Sequence, residues 1–366
     1  MRRRRSYSAS LLDLDGDRDL DLVNVSDFAG LDVFENDGRG HFRDAGQILG
    51  AARHAFGMAH AFQDANGDAR PDLLMLGMDS PVAERLEGLG LRRLAPGEPP
   101  GMVRAMTRGN RLYFGTADRA APLVPASDAV DRPLASTGWT WGAGWEDFDL
   151  DGRLDLAVAN GHETRSSVAD YERQFWRHDR FVAGSDPDPA AKLYFQTAAG
   201  RRQAAGASYG GWQDNQFLLQ FGDGEFAEVA WLLGLAVPMD CRNLVAADLD
   251  LDGRPDLVLT TQEGWPRTRQ RLLVYRNRLT PRGRWMGFRF AGAPPSGTQV
   301  MLEMPGGTRS RWRTTGDGFR SQGPAAVHFG LGDAAPVRAR IQWGTGKPDT
   351  VIESPAADRW HAVPVP

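Results

Sequence analysis

Four times along this 366-residue chain a short apolar run follows directly on a nine-residue polar stretch. The runs are LVNV at 22–25, LLML at 73–76, LAVA at 156–159 and LVLT at 257–260. Each is too short for a helix and rich in branched residues, so each is expected to form a strand. Between them lie further apolar segments broken by turn residues, which read as hairpins. GLDVFENDGRGHF turns at Asn36-Asp37-Gly38 and Gly40, NRLYFGTADRAA follows at 110–121, and GGWQDNQFLLQFGDGEFAEV turns at Gly222-Asp223-Gly224. RLLVYRNRL closes the series near Leu279. Trp139, Trp141 and Trp145 alternate, as in a strand with one buried face, and are expected to pack in the core. VAERLEGLGLRRL breaks the pattern and suits a short helix, whereas KLYFQT reads as strand. Past residue 291, VMLEM, RSRWRT, VHFGL, RARIQWG and DTVIE are short alternating stretches between Gly/Pro turns, a compact β-sandwich or barrel.

The polar stretches carry the candidate chemistry. DFDLDGRLD places Asp147, Asp149, Asp151 and Asp155 at positions 1, 3, 5 and 9. The same spacing gives Asp13, Asp15, Asp17 and Asp21, then Asp64, Asn66, Asp68 and Asp72, then Asp248, Asp250, Asp252 and Asp256. Carboxylates gathered in one tight loop repel by roughly 1–4 kcal/mol per close pair at surface-like dielectric, so the pattern calls for a cation. Oxygen donors without His or Cys select Ca²⁺ over zinc or copper. An EF-hand would carry Glu at position 12 and flanking helices; here position 12 is Asn24, Met75, Val158 and Leu259, inside the strand-like runs. These are strand–loop–strand loops, and their repetition points to a repeat of small antiparallel sheets, a β-propeller. The longer intervals after the second and third loops have room for blades without a metal loop.

Composition narrows the picture. A net charge of -4 gives no global field for nucleic acid. Lysine occurs only at Lys192 and Lys347, a compositional bias rather than a binding signal. The 43 glycines and 23 prolines suit a turn-rich β protein. Cys241 is the sole cysteine, so no internal disulfide forms, and it is expected to be a small buried residue. No apolar run spans a membrane. The start, MRRRRSYSAS, has the basic cluster of a signal peptide without its apolar stretch and reads as a solvated tail.

The loops resemble FG-GAP/VCBS repeats, the calcium-binding blades also found in integrin α-subunits. GTQV (297–300), TGDGFRSQ (315–322), HFGLG (328–332) and IQWGTGK (341–347) resemble the ASPIC/UnbV domain of cartilage acidic protein and its bacterial homologues. The resemblance implies an all-β chain: a propeller over 1–280, seven-bladed in such proteins, with an insertion at 163–190, then an ASPIC/UnbV-like β domain over 291–366. It places calcium on the sixteen loop residues named above and no other cofactor. Two departures stand out. The first loop starts a dozen residues from Met1, so blades or a leader common in the family are candidates for absence. The first loop also has Gly16 at position 4 and Arg18 at position 6, and the second has Asn66, so the last two loops are expected to be the stronger sites.

Two functions follow from these features. One is a monomeric, calcium-fastened scaffold that binds a protein or glycan, secreted or periplasmic because weak calcium loops fill where calcium is millimolar. The other is an UnbV-type enzyme or accessory protein of natural-product biosynthesis, such as a cyclase acting on a small molecule. Its best local candidates are His178 and Asp179 in the 163–190 insertion, a base beside an orienting carboxylate. His162, in NGH after the third unit, resembles a structural family position. Arg309, Arg311 and Arg313 share one strand face, read as solvated, with an anion contact as the minority reading.

Overall fold

The computed structural model describes residues 5–90, 101–172, 176, 189–344 and 347–366. Strand accounts for 44% of the chain and helix for 14%, so the all-β expectation holds.

Each predicted strand–loop–strand unit opens one antiparallel sheet. The first contains β1 (Arg5–Leu12), β2 (Asp21–Asp27), β3 (Gly30–Asn36) and β4 (Phe42–Asp44), in that spatial order. After a 3₁₀ turn at Gly46–Arg53 comes the second, β5 (Gly57–Gln63), β6 (Asp72–Gly77), β7 (Arg111–Gly115) and β8 (Leu123–Pro125). The third runs β9 (Thr140–Glu146), β10 (Asp155–Asn160), β13 (Gln216–Gly222) and β14 (Glu225–Glu228). Between its halves, β11 (Ser167–Asp170) and β12 (Ala207–Ser208) form a small parallel pair. The fourth has β15 (Cys241–Ala247), β16 (Asp256–Glu263) and β17 (Arg269–Tyr275). The sheets pack side by side through their first strands, β1 on β5, β5 on β9 and β9 on β15. This is the radial arrangement of propeller blades, consistent with the expected architecture.

Among the described residues there are four such sheets, not the seven that the resemblance implies. The long intervals hold helices where room for metal-free blades was expected: α1 (Pro81–Gly88), α2 (Met102–Met106), α3 (Asp128–Ala135), α4 (Pro189–Ala204) and the short α5 (Ala230–Leu233). No further sheet among the described residues covers the outer face of the fourth, where Leu272 and Val274 are 66% and 56% exposed. KLYFQT lies inside α4, correcting the strand reading. Its alternation is too short to separate strand from helix, and the flanking Pro189 and alanines favour a helix start and continuation. The three tryptophans are buried as expected, with Trp139 stacked on Trp141, and Cys241 is fully buried, its sulfur meeting Asn215.

The C-terminal segment is a sandwich. One sheet has the order β21 (Ala326–Gly332), β18 (Arg284–Ala291), β24 (Trp360–Pro364). The other has β20 (Gly307–Arg313), β19 (Thr298–Met304), β22 (Arg338–Gln342), β23 (Thr350–Glu353). Phe288, Phe329, Leu302, Ile341 and Trp343 fill the space between them.

This domain sends the loop after β20 into the axis where the first strands converge. Ser8 Oγ donates to Gly316 O and Ser10 Oγ to Thr315 O, both at 2.9 Å. Gly318 N donates to His60 O at 2.8 Å, and Asn243 Nδ2 donates to Phe319 O. The Phe319 ring packs edge-on against Tyr7 and Trp141, at centroid distances of 5.6 and 4.9 Å. One loop thus ties all four sheets together. His162 sits nearby, stacked on Trp139 at 4.1 Å. Burial, with the Arg242 guanidinium beside it, pushes its pKa down to about 4.

Phe319→Ala should cost about 3–5 kcal/mol in urea denaturation, because the plug leaves a cavity, whereas Phe42→Ala at a half-exposed site should change stability by less than about 1 kcal/mol. The folded pKa of His162 lies below its unfolded value, so its contribution is full above about pH 6.5 and is lost as pH falls towards 4. Between pH 7 and pH 5 the wild type should therefore lose roughly 2 kcal/mol more than His162→Phe, read from urea midpoints at each pH.

Candidate metal centre

All four loops adopt one conformation, and its hydrogen bonds repeat position by position. The position-1 aspartate turns back on its own loop. Asp147 accepts from Asp151 N and Gly152 N at 3.0 and 2.7 Å, and Asp248 from Asp252 N and Gly253 N at 3.1 and 2.9 Å. Asp13 accepts from Gly16 N and Arg18 N, and Asp64 from Ala69 N. At position 5, Asp17, Asp68, Asp151 and Asp252 each accept from the N–H two residues on. Positions 4 and 6 are both left-handed in every loop: Gly16 and Arg18, Gly67 and Ala69, Leu150 and Gly152, Leu251 and Gly253. Glycine relieves the strain at position 4 in the first two loops and at position 6 in the last two. The Gly16/Arg18 departure is therefore another solution of the same bend.

Position 9 does something the spacing alone did not reveal. Asp21 accepts from Leu14 N and Asn36 N, Asp72 from Ala65 N and Gly115 N, Asp155 from Phe148 N and Gln220 N, and Asp256 from Leu249 N and Asn277 N, all between 2.8 and 3.1 Å. One carboxylate oxygen closes its own loop and the other grips the third strand of the same sheet or, at Asn277, the second residue beyond it. Each position-9 aspartate is thus a clamp across the sheet.

The carboxylates do converge. Oxygens of Asp13, Asp15 and Asp17 lie within 4.8 Å of one another, as do those of Asp147, Asp149 and Asp155, and of Asp248, Asp250 and Asp256. The first loop gathers the acids of positions 1, 3 and 5, whereas the last two gather those of positions 1, 3 and 9. The second, with Asn66, forms no such three-acid group among the described residues. Asp21, Asp151 and Asp252 stand outside these groups, and Asp151 and Asp252 pair with Arg153 and Arg254. Burial raises the pKa of Asp147 to about 7 and of Asp155 to about 8, with neighbouring loop carboxylates adding to the effect. Burial likewise raises Asp13, Asp15, Asp64 and Asp149. Asp64 Oδ1 is buried without a hydrogen-bond partner. An all-oxygen donor set, concentrated negative charge and an orphaned carboxylate oxygen fit a hard divalent cation.

The C-terminal sandwich sits on this loop face. Ser310 N donates to Asp64 Oδ2 at 3.2 Å, and Trp360 Nε1 to Asp248 Oδ2 at 2.9 Å. Gly332 N donates to Leu150 O, and Ser296 Oγ to Leu11 O just before the first loop. His328 Nε2 lies 2.9 Å from Gly253 O. Gly330 presses so close to Asp147 that a Cβ there would fall 1.8 Å from Oδ2. Arg311 is wholly enclosed among Asp64, Glu146 and Asp147, whose charges favour its cationic form while burial lowers its pKa. Arg311 and Arg313 are 5% and 8% exposed, so the solvated reading of this face is wrong. Desolvating an arginine is tolerable where carboxylates surround it, and only the docked loops supply them. Arginine at every second position of RSRWR was the available signal.

Residues 13–75 match the family model for the FG-GAP-like repeat, and residues 292–364 match that for ASPIC and UnbV. Over those two stretches the chain carries an FG-GAP-like repeat and a C-terminal ASPIC/UnbV domain. No curated protein matches it. His178 and Asp179, the enzymatic candidates, lie outside the described residues.

Asp155→Ala should lose about 2–4 kcal/mol even in excess chelator, because two buried backbone N–H groups lose their acceptor. Asp149→Ala should cost clearly less than Asp155→Ala in chelator and show its full effect only with calcium present. Urea midpoints in the two buffers check both.

Proposed function

We propose that this chain is a calcium-fastened, non-catalytic scaffold that binds a protein or glycan partner. The observation supporting it most is the position of the loops. They lie under the C-terminal domain, so ions there would fasten each sheet and also the docking of one domain on the other. Asp13, Asp15 and Asp17, then Asp147, Asp149 and Asp155, then Asp248, Asp250 and Asp256 would supply the ligands, with Asp64, Asn66 and Asp68 forming a weaker site. An extracytoplasmic setting with millimolar calcium suits such loops. No described helix is long and apolar enough to cross a membrane.

Calcium added to chelated protein should raise the melting temperature by about 5 °C or more, as expected for ligation at several sites, and magnesium should do so less. The same titration should alter tryptophan fluorescence, since Trp360 bonds Asp248 and the Trp285 ring lies over Gly253; Trp360→Phe should reduce that signal. A melting temperature equal in calcium and in chelator would sink the reading.

A further inference from the structure

Beside the axial plug lies a cavity of about 120 Å³, roughly eight times the space one ordered water needs. Its walls come from β5, β9 and β15, from Trp312 and Arg313 of β20 and from residues that follow them, Gly323 and Pro324 being exposed. Several of its polar groups have no partner. Arg313 is 8% exposed, yet its Nε and Nη1 make no hydrogen bond. Gln63 Oε1 and Glu146 Oε2 are also buried without one, His328 Nδ1 lying 3.8 Å from the latter. Buried polar atoms are almost always satisfied, and four unsatisfied atoms around one cavity mark a site whose occupant supplies the missing bonds.

Their chemistry narrows the occupant. Arg313 needs acceptors, whereas Gln63 Oε1 needs a donor. A carboxylate or phosphate offers only acceptors and an ammonium only donors. A hydroxyl offers both. Asp317 faces Arg313, so the lining carries no surplus positive charge for an anion. Trp145 and Trp312 supply aromatic wall for the C–H face of a ring. We infer that the cavity binds a neutral, hydroxyl-rich ring of monosaccharide size. This rests on the scaffold reading and names the glycan side of it: a single sugar residue lodges beside Phe319.

The test uses the full chain in calcium, titrated with neutral hexoses, a hexuronate and a free amino acid by saturation-transfer NMR and calorimetry. At least one neutral hexose should bind with a dissociation constant of about 1 mM or tighter, above the acid and the amino acid. Gln63→Leu replaces the orphaned acceptor with an apolar group of similar size, so it should keep the wild-type melting temperature while weakening that hexose about tenfold or more. No hexose binding up to about 10 mM would overturn the inference, leaving the cavity to water. Preference for the hexuronate or the amino acid, or affinity unchanged in Gln63→Leu, would overturn it equally. The calcium-dependent melting shift is read without any sugar present, so failure here is distinguishable from failure of the scaffold reading.

Discussion

Negative charge buried at an interface is the constraint that the rest of this molecule answers. Four acidic loops emerge at one end of the sheets, and the C-terminal sandwich lies on top of them. Covering a carboxylate costs several kcal/mol unless positive charge or hydrogen bonds replace the lost water. The chain supplies part of that replacement. Backbone N–H groups meet the position-1 and position-9 aspartates, and Arg311 inserts between the second and third loops. Burial nevertheless leaves Asp147 and Asp155 with pKa values raised to about 7 and 8, so the internal supply falls short. That deficit is the physical case for a divalent ion.

The repeated loop divides the labour among its acids. Positions 1 and 5 shape the turn, position 3 in three of the loops sets its oxygen against the position-5 N–H, and position 9 staples the turn to a strand further along the chain. The staple explains how a short, strained loop holds two left-handed residues when only one is glycine. A non-glycine residue in that region costs roughly 1 kcal/mol, less than the two charge-assisted hydrogen bonds of the staple return. Glycine can therefore move between positions 4 and 6 without changing the backbone, as the first and last loops show.

Much of this was legible because aspartates at positions 1, 3, 5 and 9 leave few conformations, and the apolar runs after them leave few partners. The strands and most hairpins follow from period and turn chemistry. What escaped depends on partners distant in sequence. KLYFQT carries a two-residue period for too few residues to outweigh its alanine-rich flanks, so it formed helix. Arg311 looked solvated because its acids, Asp64 and Asp147, lie far upstream and meet it only after docking. The clamp role of Asp155 depends on Gln220 N, again a long-range contact. The sheet count escaped because an interval's length does not say whether strands or helices fill it.

One strand joins the two sites. β20 carries Arg309 over Gly152 of the third loop, Arg311 among the carboxylates of the second and third, and Arg313 at the axial cavity. Its position is fixed by the loops below and by the plug that follows it. An ion in the loops and a ring in the cavity would both favour the same placement of β20, and binding free energies coupled through a shared element are reciprocal. Loop acids that only stiffened separate sheets would have no such link, because their effects would end at the sheet edge. With the C-terminal domain resting on the loop face, fastening the sheets and shaping the cavity become consequences of one docking.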